Sequence, residues 1–78
     1  MPRYYFHIQN GANTVRDREG VELENLDEVL AEAVQSAREI MSDQVLKGKA
    51  SSDRAFIVED ENGKTVLTFP FKQALIQD

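Results

Sequence analysis

The chain has 78 residues, a net charge of −5 and no cysteine. This length suits one small domain over residues 1–78. The missing thiols exclude disulfides and cysteine catalysis, while the acidic balance argues against nucleic acid. The sequence lacks both an apolar run long enough to span a bilayer and a signal-peptide pattern, so we expect a cytoplasmic protein that binds no membrane.

The first predicted element is a β-hairpin in the segment YFHIQNGANTV. Asn10 and Gly11 suit the centre of a type I′ turn, because both residue types tolerate positive φ. The strand before the turn is rich in aromatic residues and is expected in the interior of the sheet, with the short polar strand after the turn at an edge. This register predicts three opposed pairs: Phe6 with Val15, His7 with Thr14, and Tyr5 with Arg16.

One long helix is predicted from Leu26 to Lys47. Asn25, followed by Glu28, indicates a capping box in which each side chain bonds the backbone N–H of the other residue. Gly48 is expected to end the helix. Apolar residues recur at the helical period and predict one buried stripe: Leu26, Val29, Leu30, Ala33, Val34, Ala37, Ile40, Met41 and Val45.

A second hairpin is predicted in FIVEDENGKTVLTF, with Asn62 and Gly63 at the turn centre. After it, Pro70 is expected to start a short helical turn whose Phe71 and Leu75 close the edge of the core. The predicted opposed pairs are Glu59 with Val66, Val58 with Leu67, Ile57 with Thr68, and Phe56 with Phe69.

Together these elements predict an α+β fold: a hairpin, a long helix and a second hairpin, with a mainly antiparallel four-stranded sheet covered by the helix on one face. Side chains alternate between the two faces of a sheet, and the register places His7 on the uncovered face as a surface residue. This face mixes aromatic, aliphatic and cationic groups, as interfaces do. The candidate interaction face comprises Tyr5, His7, Arg16, Ile57, Val66 and Thr68.

The sequence offers no convincing catalytic or metal site. His7 is the only histidine, and a metal needs several convergent ligands. Thr14 is the only hydroxyl predicted to face His7, on an open strand with no pocket implied. The acidic residues of DREG and VEDENG lie in predicted turns, where carboxylates are solvated or bond local backbone. We therefore expect no enzyme activity, cofactor or metal.

Several motifs resemble a family of short bacterial proteins of unknown function. These are the opening MPRYYFHI with a following NG, the step from Asp17 to Gly20, the VEL segment, and a helix with Ala33 and Ala37. The resemblance spans nearly the whole chain and implies a compact α+β domain without indicating an activity. Its C-terminal part comprises Val58, Asp60, Glu61 and Gly63, then Pro70, Phe71, Ala74 and Leu75.

The function favoured by the sequence is a small interaction or regulatory module. Its expected partner is another protein or a second copy of the chain, bound through the open sheet face or a sheet edge. The alternative is a nucleic-acid-binding module that uses Arg3, Tyr5 and Arg16 on the sheet, as sheet-based RNA binders use aromatic residues. The net charge makes nucleic acid the less favoured partner.

Overall fold

The computed structural model describes residues 1–46 and 53–75, with helix side chains described up to residue 43. It confirms the α+β architecture and adds one short strand that was not predicted. The elements in chain order are β1 (Arg3–Asn10), β2 (Asn13–Val15), β3 (Val21–Glu22), α1 (Leu26–Leu46), β4 (Arg54–Glu59), β5 (Thr65–Pro70) and a 3₁₀ helix (Phe71–Leu75).

The sheet is antiparallel, with the strand order β2-β1-β4-β5. Strand β1 is interior and β2 is an edge, as predicted. The short β3 pairs with the start of β1. Residues 13–15 and 21–22 therefore both pair with one edge of β1, and residues 16–20 between them leave that edge. The helix within the described part of the chain is too polar to cross a bilayer.

The core lies between the helix and one sheet face. Leu75 was predicted to close it but is 69% exposed, and Ala74 is buried instead. The reason is the 3₁₀ period, which brings residues three apart to the same side and so pairs Ala74 with Phe71. Val15 is also exposed, because it lies in the outermost strand. The buried apolar residues are Tyr4, Val29, Ala33, Ala37, Phe56, Val58, Phe69, Phe71 and Ala74.

The helix begins where the sequence predicts. The Glu28 N–H donates to Asn25 Oδ1 at 2.9 Å, which confirms Asn25 as the N-cap. The reciprocal bond of the capping box is wrong, because the Glu28 carboxylate accepts the N–H of Glu24 at 2.8 Å. The predicted stop at Gly48 and the side chain of Val45 lie outside the described residues.

The first hairpin has a different turn from the predicted one. Ile8 pairs with Val15, Gln9 with Thr14 and Asn10 with Asn13, so the turn centre is Gly11-Ala12. Gly11 has φ +63° and no described non-glycine residue has positive φ. Glycine at the first central position followed by a residue with negative φ is the pattern of a type II′ turn. The predicted pairs of Phe6 with Val15 and of His7 with Thr14 are therefore wrong, although the faces of the strands are unchanged.

The second hairpin keeps the predicted register only away from its turn. Phe56 pairs with Phe69, Ile57 with Thr68 and Val58 with Leu67, as predicted. Near the turn Glu59 opposes Thr65 because a β-bulge shifts the register. The Asp60 N–H donates to the Lys64 carbonyl, which leaves a three-residue loop with Gly63 at φ +80°. This loop replaces the predicted two-residue turn, and the bulge restores the register beyond it.

Candidate functional site

The sheet face opposite the helix is divided into two parts. Residues 16–20, here named the clamped loop, cover the part that carries Tyr5 and His7. The remainder, here named the open sheet surface, comprises Gln9, Thr14, Ala55, Ile57 and Thr68. These residues share one face because Gln9 opposes both Thr14 and Ala55, and Ile57 opposes both His7 and Thr68.

His7 lies beneath the clamped loop and is 4% exposed. The prediction that it is a surface residue is therefore wrong, although it does point away from the helix. The segment after the first hairpin returns over the sheet and buries His7, which strand alternation alone does not predict. The Asp17 N–H donates to His7 Nδ1 at 3.0 Å, and His7 Nε2 lies 3.1 Å from Glu59 Oε1.

These two contacts assign the tautomer of His7. Because the Asp17 N–H is a donor, Nδ1 must accept, and the ring proton lies on Nε2. Nε2–H then donates to the Glu59 carboxylate, which also lies 3.7 Å from the Arg16 guanidinium. Both ring nitrogens are occupied, so the geometry is that of a histidine that fixes a loop to a strand.

Asp17 holds the clamped loop from the other side. Its Oδ1 accepts the N–H groups of Glu19 and Gly20, each at 3.1 Å, and its Oδ2 accepts the N–H of Phe6 at 3.1 Å. The last bond takes the place of a strand partner at the point where the chain leaves the edge of β1. Asp17 therefore orders its own loop and joins that loop to the sheet.

The charge of Asp17 is stabilised by these donors. Burial raises the pKa of the Asp17 carboxyl, but the backbone N–H groups of Gly20, Phe6 and Glu19 lower it, in that order of strength. The net result is a pKa below the ordinary value, so the carboxylate form favours the folded state.

Gly20 completes the contact between the clamped loop and β1. Its φ is +72°, and a Cβ at this position would lie 2.9 Å from both Arg3 Cγ and Tyr5 Cε2. It would also lie 3.0 Å from the Tyr4 carbonyl oxygen. The close approach of the loop to β1 therefore requires glycine for space as well as for backbone conformation.

A shallow cavity of about 280 Å³ lies beside the clamped loop. Glu59 contacts His7 here, and the Glu61 carboxylate accepts the N–H of Arg3 at 3.0 Å. Thr14 opposes Gln9 rather than His7, so the hydroxyl considered from the sequence is not paired with the imidazole. Residues 1–46 and 53–75 contain no group of three or more side chains placed to hold a metal ion. The cavity walls are Tyr5, His7, Arg16, Asp17, Glu59, Asp60, Glu61 and Gly63.

The six candidate interface residues do not form one surface. His7 is buried, and Val66 lies at the bulge and packs against the core cluster. Tyr5 is half-buried against the clamped loop. Ile57 and Thr68 lie on the open sheet surface, half-buried and exposed respectively. Arg16 is exposed at the boundary between the two parts.

Sequence reasoning missed Asp17 as the residue that fixes the clamped loop to the sheet. The spacing of Asp17 and Gly20 was visible and indicated a turn in which the carboxylate bonds local backbone, which is confirmed for Glu19 and Gly20. The long-range bonds to Phe6 and His7 had no signal, because they depend on the loop crossing the sheet.

A family model described as Domain of unknown function (DUF6894) matches residues 3–72. The chain belongs to the DUF6894 family. This confirms the resemblance to a family of unknown function and assigns no activity to the buried histidine or to any other residue. Searches of the curated proteins and of the solved structures give no significant match to this DUF6894 chain.

Proposed function

We propose that this domain is a protein-interaction module that associates with a second copy of itself. The observation that carries the proposal is the exposure of large apolar side chains outside the core. The exposed fractions of Val15, Leu26, Leu30 and Leu75 range from 38% for Leu30 to 69% for Leu75. A domain of 78 residues has a thin core, and association stabilises such domains by burying more apolar surface.

Two surfaces are suited to this role. The first is the open sheet surface, where Ile57 is half-exposed among uncharged neighbours. The second is the outer flank of α1, where Leu30 is exposed. The free edge of β5 suits it less, because the bulge near Glu59 interrupts its regular pairing and Pro70 ends it.

Nucleic-acid binding is not part of this proposal. The Arg3 guanidinium lies 3.7 Å from Glu22, and that of Arg16 lies 3.7 Å from Glu59. Each positive charge is therefore offset by a carboxylate, in a chain whose net charge is −5. Phosphate binding needs uncompensated positive potential.

The test is sedimentation equilibrium of the purified chain over a wide concentration range. We expect one reversible monomer–dimer equilibrium whose position depends on protein concentration. A chain that stays monomeric at every concentration contradicts the proposal. A shift assay with single-stranded RNA, titrated with salt, tests the alternative, and salt-sensitive binding there would favour it.

A further inference from the structure

The outer flank of α1 carries two parallel rows of side chains with a groove of about 560 Å³ between them. Val29, Ala33 and Ala37 face the sheet and are buried, so both rows lie to the side of the covered stripe. The described residues that line the groove all belong to the helix. One row is Leu30, Val34 and Arg38, and the other is Asp27, Ala31, Gln35 and Glu39.

The spacing within each row is four residues. Rows of this kind are the ridges that interdigitate when two helices cross at about −50°, which is the commonest helix-packing class. Ala31 is the smallest side chain of the flank and lies near its middle, where a second helix would approach most closely. Leu30, which is exposed, and the outer part of Val34, which is half-buried against the core, lie beside it and provide apolar contact area.

The charges of the flank are arranged for self-complementarity. Asp27 lies at one end and Arg38 at the other, about 16 Å apart along the axis at the usual rise per residue. A twofold axis between residues 32 and 33 runs the two helices antiparallel. It brings Asp27 of each copy opposite Arg38 of the other, while Ala31 of each copy faces Val34 of the other.

We infer that the flank of α1 binds the same flank of a second copy, with antiparallel helices and two reciprocal pairs of Asp27 and Arg38. This inference rests on the proposed function and names its interface. The same symmetry places Glu39 near the N-terminal turn of the partner's helix, where the repulsion from Asp27 and Glu28 opposes the attraction of the dipole, so the pairing depends on Asp27 and Arg38. Arg38 Nε already donates to the Ala74 carbonyl at 3.0 Å, and this bond fixes the base of the guanidinium in the flank.

Two charge-reversed variants test the pairing. Asp27→Arg alone opposes two arginines at both ends of the interface, and Arg38→Glu alone opposes two carboxylates. We expect each variant to raise the dissociation constant of its homodimer about tenfold or more, because opposed like charges are strongly unfavourable at an interface. When the two variants are mixed, both ends carry opposite charges, and we expect a heterodimer to form.

Matched controls reverse the same charges elsewhere. Glu19→Arg and Arg18→Glu lie in the clamped loop on the opposite side of the molecule, and we expect both to dimerise like the wild type. Circular dichroism checks that each variant is folded. Because the mixing experiment uses the same two proteins that fail alone, recovery of dimer in the mixture also excludes misfolding as the cause of that failure.

The outcomes separate the inference from the function on which it rests. A monomeric wild type overturns both. A wild-type dimer that is unaffected by Asp27→Arg and Arg38→Glu, or variants that stay monomeric when mixed, overturns the helix interface and leaves self-association standing. In that case Ile57→Asp is the informative variant, because its loss of dimer would place the contact on the open sheet surface.

Discussion

Asp17 and Asp60 anchor two acidic turns that are locally alike but differ in their role. Asp17 Oδ1 accepts two N–H groups from its own turn, and Asp60 Oδ1 does the same with Asn62 and Lys64. Only Asp17 also reaches another strand, through Oδ2 to the Phe6 N–H and through its own N–H to His7. One turn closes a hairpin, and the other fixes a loop across a sheet.

The comparison shows that the same local hydrogen bonds contribute differently to stability, depending on whether the aspartate also contacts another strand. When the carboxylate of a solvated turn is removed, water can accept the hydrogen bonds of the turn's N–H groups, so the loss of stability is small. An aspartate whose turn lies against a sheet also satisfies a strand donor that would otherwise lose its partner. Variants at matched positions of the two turns should therefore differ in their free energy of unfolding.

The largest difference is expected between the glycines of the two turns. Gly20→Ala introduces a Cβ that collides with Arg3 and Tyr5 at positive φ, whereas a Cβ at Gly63 meets no atom within 4 Å. We expect Gly20→Ala to lower the free energy of unfolding by about 3 kcal/mol, from backbone strain plus overpacking. Gly63→Ala should cost about 1 kcal/mol, from the strain alone.

Urea unfolding of the two glycine variants gives the comparison directly. Equal losses in both would show that the clamped loop yields to the new methyl group without cost. Such a result would contradict the close packing of the loop against β1.

The second largest difference in stability is expected between variants of the two aspartates. Asp17→Ala removes the acceptor of three backbone N–H groups, and we expect a loss of about 2 kcal/mol. Asp60→Ala removes two bonds in an exposed turn and should cost about 1 kcal/mol. Hydrogen exchange of the Phe6 amide adds a specific readout, because it should accelerate in Asp17→Ala and stay unchanged in Asp60→Ala. A protected Phe6 amide in Asp17→Ala would contradict the bridging role.

The N-cap residue Asn25 makes a purely local side-chain bond, so the stability lost on its removal is a reference value for both turns. Asn25→Ala removes the bond to the Glu28 N–H and should destabilise by about 1 kcal/mol, the usual cost of losing an N-cap. Asn25→Asp, which retains the acceptor, is the matched control and should stay close to the wild type. An unchanged unfolding midpoint in Asn25→Ala would show that the cap contributes nothing.

The smallest expected effect is on the dependence of stability on pH. The folded-state pKa of Asp17 lies below its ordinary value of 3.8, so its contribution is present above that pH and is lost as the pH falls through the folded value. In Asp17→Asn this contribution is absent at every pH. The stability difference between wild type and Asp17→Asn should therefore narrow as acid is added below pH 3.8. A difference that widens in acid would contradict the lowered pKa.

Most elements of the fold followed from local patterns in the sequence, although the short strand β3 did not. Helix α1 was predictable because its N-cap at Asn25 and the period of its apolar residues are both local features of the sequence. The turn types were not, because an Asn-Gly dipeptide allows more than one loop. Near Asp60 the carboxylate captures two N–H groups and favours a three-residue loop, while at Gly11 the glycine takes the first central position instead of the second.

The candidate site was only partly predictable. Alternation along β1 placed His7 on the face away from the helix, and this assignment holds for Ile57 and Thr68 as well. The burial of His7 depends on the return of the chain over the sheet at residues 16–20. Such a return leaves no periodic signal, since the contacts that hold it are between Asp17, His7 and Glu59, which are distant in sequence.

The pairing of β1 with β4 has a consequence for how the chain acquires its structure. The two strands in the middle of the sheet lie far apart in the sequence, since Tyr5 and Glu59 are directly opposed. The N-terminal hairpin by itself has only three paired positions in β1 and β2. Closing the sheet therefore requires a long loop to form before its contacts stabilise it, which slows folding. During synthesis β1 therefore stays unpaired along one edge until β4 has left the ribosome.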